Sequence, residues 1–224
     1  MATATADNAP VPPAPARPAT LLLLVRHGQT PTTGSVLPGR APGLHLSDRG
    51  REQAERVAER LAGLRVDALY SSPMERAQET AAPTAARTGL AVTAEEGLLE
   101  CDFGGWTGSA ISDLAALPEW QTVQHSPSQF RFPDGESFPE MQARIVGAME
   151  RARDAHAGGV VVCFSHADPI KAAVAHALGT PLDLFQRIYI SPGSVSAISY
   201  TDGQDPAVLM VNSTAEPLSG LRPE

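Results

Sequence analysis

Cysteine is nearly missing from this chain: Cys101 and Cys163 are the only two among 224 residues. Two thiols cannot staple a chain of that length, which excludes a disulfide scaffold. Long apolar runs are missing as well, and nothing approaches the roughly 20 apolar residues of a membrane span. Basic residues are in deficit, 17 against 25 acidic, for a net charge of −8. Nucleic-acid binders carry a basic surplus, so neither a nucleic-acid nor a membrane partner is expected. There is no Gly-Lys-Ser/Thr P-loop and no G-x-G-x-x-G, which leaves nucleotide-binding folds little support. An acidic chain can still bind an anion if it concentrates positive charge locally. The placement of the few arginines and histidines is therefore the informative feature.

The length and the 42 % apolar content suit one globular domain with a tail. Residues 1–19 are that tail. Twelve of these 19 are Ala or Pro, with no core-forming pattern, and they read as disordered or polyproline-like. The run Leu21–Val25 is too short for a signal peptide and no basic segment precedes it, so the expected location is cytoplasmic. Residues 20–215 are expected to form the domain and 216–224 a flexible C-terminus.

Within the domain, short apolar runs alternate with helical patterns. Leu21–Val25 and Val160–Phe164 are continuous apolar runs, the mark of strands buried on both faces. Ala68–Tyr70 is a shorter strand. Ala54, Val57, Ala58, Leu61 and Leu64 predict a helix over 47–64. Ser72-Pro73-Met74-Glu75 predicts a capped helix start, and Ser137 with Glu140 another. Phe138, Met141, Ile145, Met149 and Ala152 lie on one stripe of the second of these. Asp168-Pro169 predicts a third start, for a helix ending at Gly179. Val195–Tyr200 and Ala207–Val211 read as closing strands around Asp202-Gly203. The alternation predicts an α/β fold, a mostly parallel sheet flanked by helices. The Gly- and Pro-rich stretch 101–139 breaks the pattern and reads as an insertion or lid. Its Trp106, Trp120, Phe130 and Phe132 would give it apolar surface.

Two of the apolar strands run into histidine: the first into Arg26-His27-Gly28, the second into Ser165-His166. Ligands of open parallel sheets bind off the carboxyl ends of the strands, at a topological switch point. Arg76 falls in the first turn of a helix, where free N–H groups and the dipole favour anions. Arg26, His27, Arg76 and His166, gathered at one sheet edge, would suit a phosphate.

These residues resemble the signature of the histidine phosphatase superfamily, which includes the cofactor-dependent phosphoglycerate mutases. Leu24-Val25-Arg26-His27-Gly28-Gln29-Thr30 matches its Arg-His-Gly block. Further blocks follow in the family's order: Leu46-Ser47 with Gly50 and Gln53-Ala54; Ser71-Ser72-Pro73 with Arg76-Ala77 and Glu79-Thr80; Leu99-Glu100 with Phe103-Gly104 and Trp106; Gly135-Glu136-Ser137 with Arg144; and Ser165-His166. The resemblance implies a three-layer, phosphoglycerate mutase-like fold and a phosphorylated small molecule as substrate. It implies His27 as nucleophile through a phosphohistidine. Arg26, Arg76 and His166 would hold the phosphoryl oxygens, and Glu100 would act as proton donor and then as base. It implies no metal and no cofactor.

A carboxylate beside a phosphate is expected to have a raised pKa through like-charge repulsion. Glu95, Glu96 and Asp102 are neighbouring acids that could take the place of Glu100. Gln29, Thr30 and Ala167 are candidate substrate contacts. Arg40, in a Pro/Gly loop, reads as a solvent-facing arginine or a substrate contact. The sequence departs from the family pattern at Thr33, where many members carry asparagine, and at Ala167, where glycine usually follows the histidine. Thr33 either loses that phosphate contact or supplies it by its hydroxyl. A phosphatase is the leading reading. A phosphomutase with the same site is the alternative, weakened because Glu100-Cys101-Asp102 lacks the basic residue of the mutase block. A non-catalytic module binding a phosphorylated ligand is a third reading. Monomer and homodimer both stay open.

Overall fold

The structure is a computed structural model that describes residues 18–216. Apart from Pro18, Ala19 and Glu216, the expectations for the two termini lie outside the described residues. Chain order is β1 (Thr20–Arg26), α1 (Asp48–Leu61), β2 (Ala68–Ser71), α2 (Glu75–Thr88), β3 (Val92–Ala94), α3 (Ile111–Ala115), α4 (Glu119–His125), α5 (Phe138–Ala155), β4 (Val160–Ser165), α6 (Ala167–Ala177), β5 (Val195–Tyr200) and β6 (Ala207–Ser213). Among the described residues no helix is long and apolar enough to cross a membrane.

The six strands form one sheet in the order β3-β2-β4-β1-β5-β6. β3, β2, β4 and β1 run parallel, and β5 and β6 are antiparallel additions. Alternate side chains of one strand serve opposite faces. Leu23 and Val25 of β1, with Val162 and Phe164 of β4, pack against Val57 and Leu61 of α1 and Ala81 of α2. Leu22, Leu24, Val161 and Cys163 face the other way, onto Met141, Ile145 and Met149 of α5 and Ala173 of α6. Burial on both faces is why β1 and β4 read as unbroken apolar runs. The result is the expected three-layer α/β architecture.

The helix starts divide into expected and unexpected. Ser47 caps α1 by accepting the Gly50 N–H at 3.1 Å. Ser137 and Glu140 form a full capping box at the start of α5. The predicted start at Ser72 is not formed: α2 begins at Glu75, Met74 is its N-cap, and no side chain caps it. Ser72 is fully buried just after β2; its hydroxyl lies 2.8 Å from His166 Nε2 and accepts the Met74 N–H at 3.4 Å, so it caps no N–H within α2. Asp168 is likewise not a cap: His166 is the N-cap of α6, and Asp168 lies in its first turn. The three-residue edge strand β3 had no sequence signal.

The stretch 101–139 contains α3, α4 and two single 3-10 turns, at Gly104–Trp106 and Pro127–Gln129. Trp106, Phe130 and Phe132 are buried in the same core cluster as α5 rather than lying at the surface, and only Trp120 is partly exposed. Phe132 touches Phe103, Trp106, Phe130 and Phe138 edge-on, with ring centroids 4.9 to 5.4 Å apart. At Gly104, with φ +48°, a Cβ would sit 2.0 Å from the Pro133 carbonyl oxygen, so only glycine lets the chain cross itself there.

Candidate active site

β1 and β4 are paired in parallel with Arg26 opposite Ser165, so His27 and His166 leave neighbouring strand ends together. Their rings meet edge-on with centroids 5.1 Å apart. His27 is 5 % exposed and His166 is fully buried. The Nδ1 of His27 lies 2.7 Å from the Gly28 carbonyl oxygen. A carbonyl only accepts, so Nδ1 carries the hydrogen and Nε2 keeps its lone pair. Burial, then the charges of Arg26 and Arg76, push the His27 pKa well below the ordinary histidine value. The ring is therefore neutral at neutral pH. Gly28 permits the close approach of α1: a Cβ there would meet the Gly50 carbonyl oxygen at 2.4 Å. The Gly28 N–H donates to the Thr80 hydroxyl, which donates to the Arg76 carbonyl, tying this loop to α2.

The Nε2 of His166 is 2.8 Å from the Ser72 hydroxyl. Burial, then the Arg76 charge, depress its pKa as well. Arg76 is completely buried, and its Nη2 donates to the Gly39 carbonyl at 2.8 Å. Arg26 donates through Nη1 to the Ile190 carbonyl at 2.6 Å. Among the described residues Arg26 Nε, Arg76 Nε and Nη1, and His166 Nδ1 are buried without a partner. Unpartnered buried donors are costly and uncommon. Two guanidiniums with unpartnered donors, whose charges reach both histidines, are an arrangement that would suit an anion.

Glu100 is 7 % exposed and accepts the Cys101 N–H at 3.0 Å through Oε1. Its pKa is pushed up to about 7, chiefly by burial and then by the negative charge of Asp168. The expected cause was a bound phosphate; burial raises the pKa without one. Of the competing acids, Asp102 accepts the Gly104 N–H at 3.1 Å and Glu95 accepts the Gly97 N–H at 2.9 Å. Asp102, Glu95 and Glu96 are all absent from the cavity lining, where Glu100 stands.

A cavity of about 470 Å³ opens over His27. Arg26, His27, Thr30, Thr33, Glu100 and Ala167 line it, while Arg76 and His166 are buried beside it. Gln29 is not brought to it: its N–H donates to the Gln53 side chain, and its carbonyl accepts from Ser47. The Thr33 hydroxyl accepts the Thr30 N–H at 2.9 Å and pairs with the Thr30 hydroxyl at 3.0 Å, bracing the loop after the histidine. His45, His125, His156 and His176 are not in the lining.

Arg40 is neither solvent-facing nor a cavity residue. Its Nε donates to the Glu100 carbonyl at 2.9 Å and its Nη2 pairs with Glu136 at 2.9 Å. Arg144 grips Glu136 from the other side at 2.8 Å and donates to the carbonyls of Gly97 and Leu99. Glu136 opposes two arginines, and their hydrogen bonds and charge outweigh its burial, so its pKa is lowered. This cluster fixes the backbone that carries Glu100. Sequence reasoning also missed Asp168, Lys171 and Gln186, which line the cavity. The signal was present: Asp168 and Lys171 are three apart on the helix that begins beside His166, and so share a face.

The family described as histidine phosphatase superfamily, branch 1, matches residues 22–214. Phosphoserine phosphatase 1 of Hydrogenobacter thermophilus is 31 % identical over 86 % of this chain and 92 % of its own length. A probable phosphoglycerate mutase of Salmonella arizonae is 28 % identical over 88 % of this chain and 93 % of its own. Among solved structures, mycobacterial glucosyl-3-phosphoglycerate phosphatase superposes with a TM-score of 0.79 at 25 % identity, covering 88 % of this chain and all of that one.

Proposed function

The chain belongs to the histidine phosphatase superfamily, and on that premise we propose that it hydrolyses a phosphate monoester of a small molecule through a phosphohistidine on His27. The observation that carries this reading is the buried His27 ring. Its Nδ1–H is committed to the Gly28 carbonyl, and the free edges of Arg26 and Arg76 are buried close enough to depress its pKa.

The steps follow from those groups. The Nε2 lone pair of His27 attacks phosphorus, and the bond to the ester oxygen breaks. That oxygen takes the proton of Glu100, whose pKa near 7 leaves a large protonated fraction at neutral pH. Arg26, Arg76 and His166 hold the phosphoryl oxygens in this reading, and the unpartnered Nε of Arg26 and Nε and Nη1 of Arg76 support it, since preorganised donors stabilise the charge of the transition state. Water then attacks phosphorus, its proton passes to the Glu100 carboxylate, and phosphate leaves with His27 restored. Cys101, beside Glu100, is buried in the core, so that position offers a glycerate carboxylate no cation. This favours hydrolysis over mutase chemistry.

The test follows p-nitrophenyl phosphate and a panel of phosphorylated metabolites, scored for released phosphate and for isomerised product. Wild type is expected to release phosphate, to keep its activity after exhaustive chelation, and to yield a phosphoenzyme modified on His27. His27→Ala should fold, because it removes a strand-end side chain, yet lose turnover and labelling. Substantial turnover in a clean His27→Ala preparation would falsify the mechanism. Isomerised product in place of phosphate would make the chain a mutase.

A further inference from the structure

We infer that the cavity over His27 is built for a phosphate monoester whose leaving group is uncharged, ring-bearing and hydroxylated, and that it discriminates against a second anionic group on the substrate. The inference rests on the phosphatase reading and adds the substrate class.

Charge is the first argument. Among the described residues, Arg26 and Lys171 are the only arginine and lysine lining the cavity. Arg26 lies next to His27 and offers its unpartnered Nε to the phosphoryl group. Lys171 is already neutralised. Its Nζ lies 3.1 Å from Asp168 and 3.0 Å from the Gln186 side-chain oxygen, above the ring of Phe185. Both members of the pair are partly buried, with side chains 17 % and 16 % exposed. A substrate carboxylate would have to pull Lys171 from Asp168 and leave that carboxylate half-desolvated beside it. Arg40 and Arg144, the arginines that hold the Glu100 segment, are spent on Glu136 and on the Glu100 backbone.

Shape and lining are the second argument. At about 470 Å³ the cavity is large enough for a whole small organic ligand, a class that takes roughly 300–1,000 Å³. Trp120, Phe132 and Phe138 present it with aromatic surface suited to a ring. Thr33, Gln124 and Gln186 supply hydroxyl and amide groups that hydrogen-bond neutral hydroxyls without a charge.

A matched pair of substrates tests the charge term alone: 4-(hydroxymethyl)phenyl phosphate and 4-carboxyphenyl phosphate, measured on the full chain beside p-nitrophenyl phosphate. The expected kcat/KM favours the neutral member by about tenfold or more, the scale of one hydrogen bond to a charged group. Adenosine 5′-monophosphate should likewise exceed O-phosphoserine and 3-phosphoglycerate. Asp168→Asn frees Lys171 and should raise the carboxylated-to-neutral ratio by about tenfold, while Lys171→Met should lower it further. The ratio is the readout because a change at Glu100 acts on both substrates alike. Equal or reversed preference in wild type overturns the inference. So does preferred hydrolysis of O-phosphoserine that Asp168→Asn abolishes, since the ion pair would then have opened to hold an ammonium and a carboxylate. Absence of His27-dependent hydrolysis of p-nitrophenyl phosphate would instead sink the phosphatase reading itself.

Discussion

The floor and the upper wall of the cavity are made in different ways. On the floor, His27 and His166 leave the ends of two paired parallel strands, and the register of those strands sets their spacing. The wall comes from an irregular stretch of short helices and turns, where Trp120, Val123 and Phe132 reach the cavity because aromatic and aliphatic neighbours hold them there. Sheet hydrogen bonds position the floor, and side-chain packing positions the wall. Substitutions on the floor should therefore remove chemistry and spare the fold. Those in the wall should weaken the fold and alter the response to the leaving group.

Glu100→Gln should give the largest contrast in activity. It keeps size and hydrogen bonding but cannot release a proton. Hydrolysis of alkyl phosphates should fall by roughly 10²–10⁴-fold, against a smaller loss for p-nitrophenyl phosphate, whose leaving group needs no protonation. The phosphoenzyme should accumulate, because the carboxylate that activates water is gone. Equal losses for both esters would move the proton donor elsewhere. The same variant has a stability signature. The unfolded chain ionises Glu100 near 4.5 and the folded chain only near 7, so the wild type loses stability as pH rises across that window. Glu100→Gln is free of that loss, and its advantage in Tm should open between pH 4.5 and about 7.

Arg76→Ala should cost about 10²–10³-fold in kcat/KM on activated and unactivated esters alike, the usual effect of deleting a preorganised donor. Its melting temperature should change less than its activity suggests, because two of its buried nitrogens have no partner among the described residues. Collapse of the fold in this variant would blur the division between floor and wall.

Phe132→Ala tests the wall. Phe132 is 1 % exposed with four aromatic neighbours, and its truncation should destabilise by about 3–5 kcal/mol, read in denaturant unfolding. Hydrolysis of p-nitrophenyl phosphate below the transition should suffer less than that of bulkier esters. Thr33→Val should be the mildest change. It removes the acceptor of the Thr30 N–H and should raise KM by no more than about tenfold, with kcat nearly kept. A large fall in kcat would make the Thr33 hydroxyl a partner of the phosphoryl group rather than a brace.

Legibility divides along the same line. β1, β4 and the stripe of α5 were readable because an element buried on one or both faces must write that burial into its own residues. Arg26-His27 and Ser165-His166 were readable as strand ends for the same reason. Ser72 and Asp168 were misread as helix caps: a serine or aspartate near a helix start looks the same whether its oxygen meets a helix N–H or another side chain, here His166 for Ser72 and Lys171 for Asp168. Arg40 looked solvent-facing because its partners Glu100 and Glu136 are 60 and 96 residues away.

The sequence by itself determined the architecture, the strand-end histidines and the arginines that can meet a phosphate, because those depend on periodicity and on residue type within a few positions. Only the tertiary structure decided the tautomer of His27, the raised pKa of Glu100, the pairing of Lys171 with Asp168 and the aromatic lining of the cavity. Each of these depends on a distance or a burial between residues far apart in the chain, and a linear string of residues carries neither.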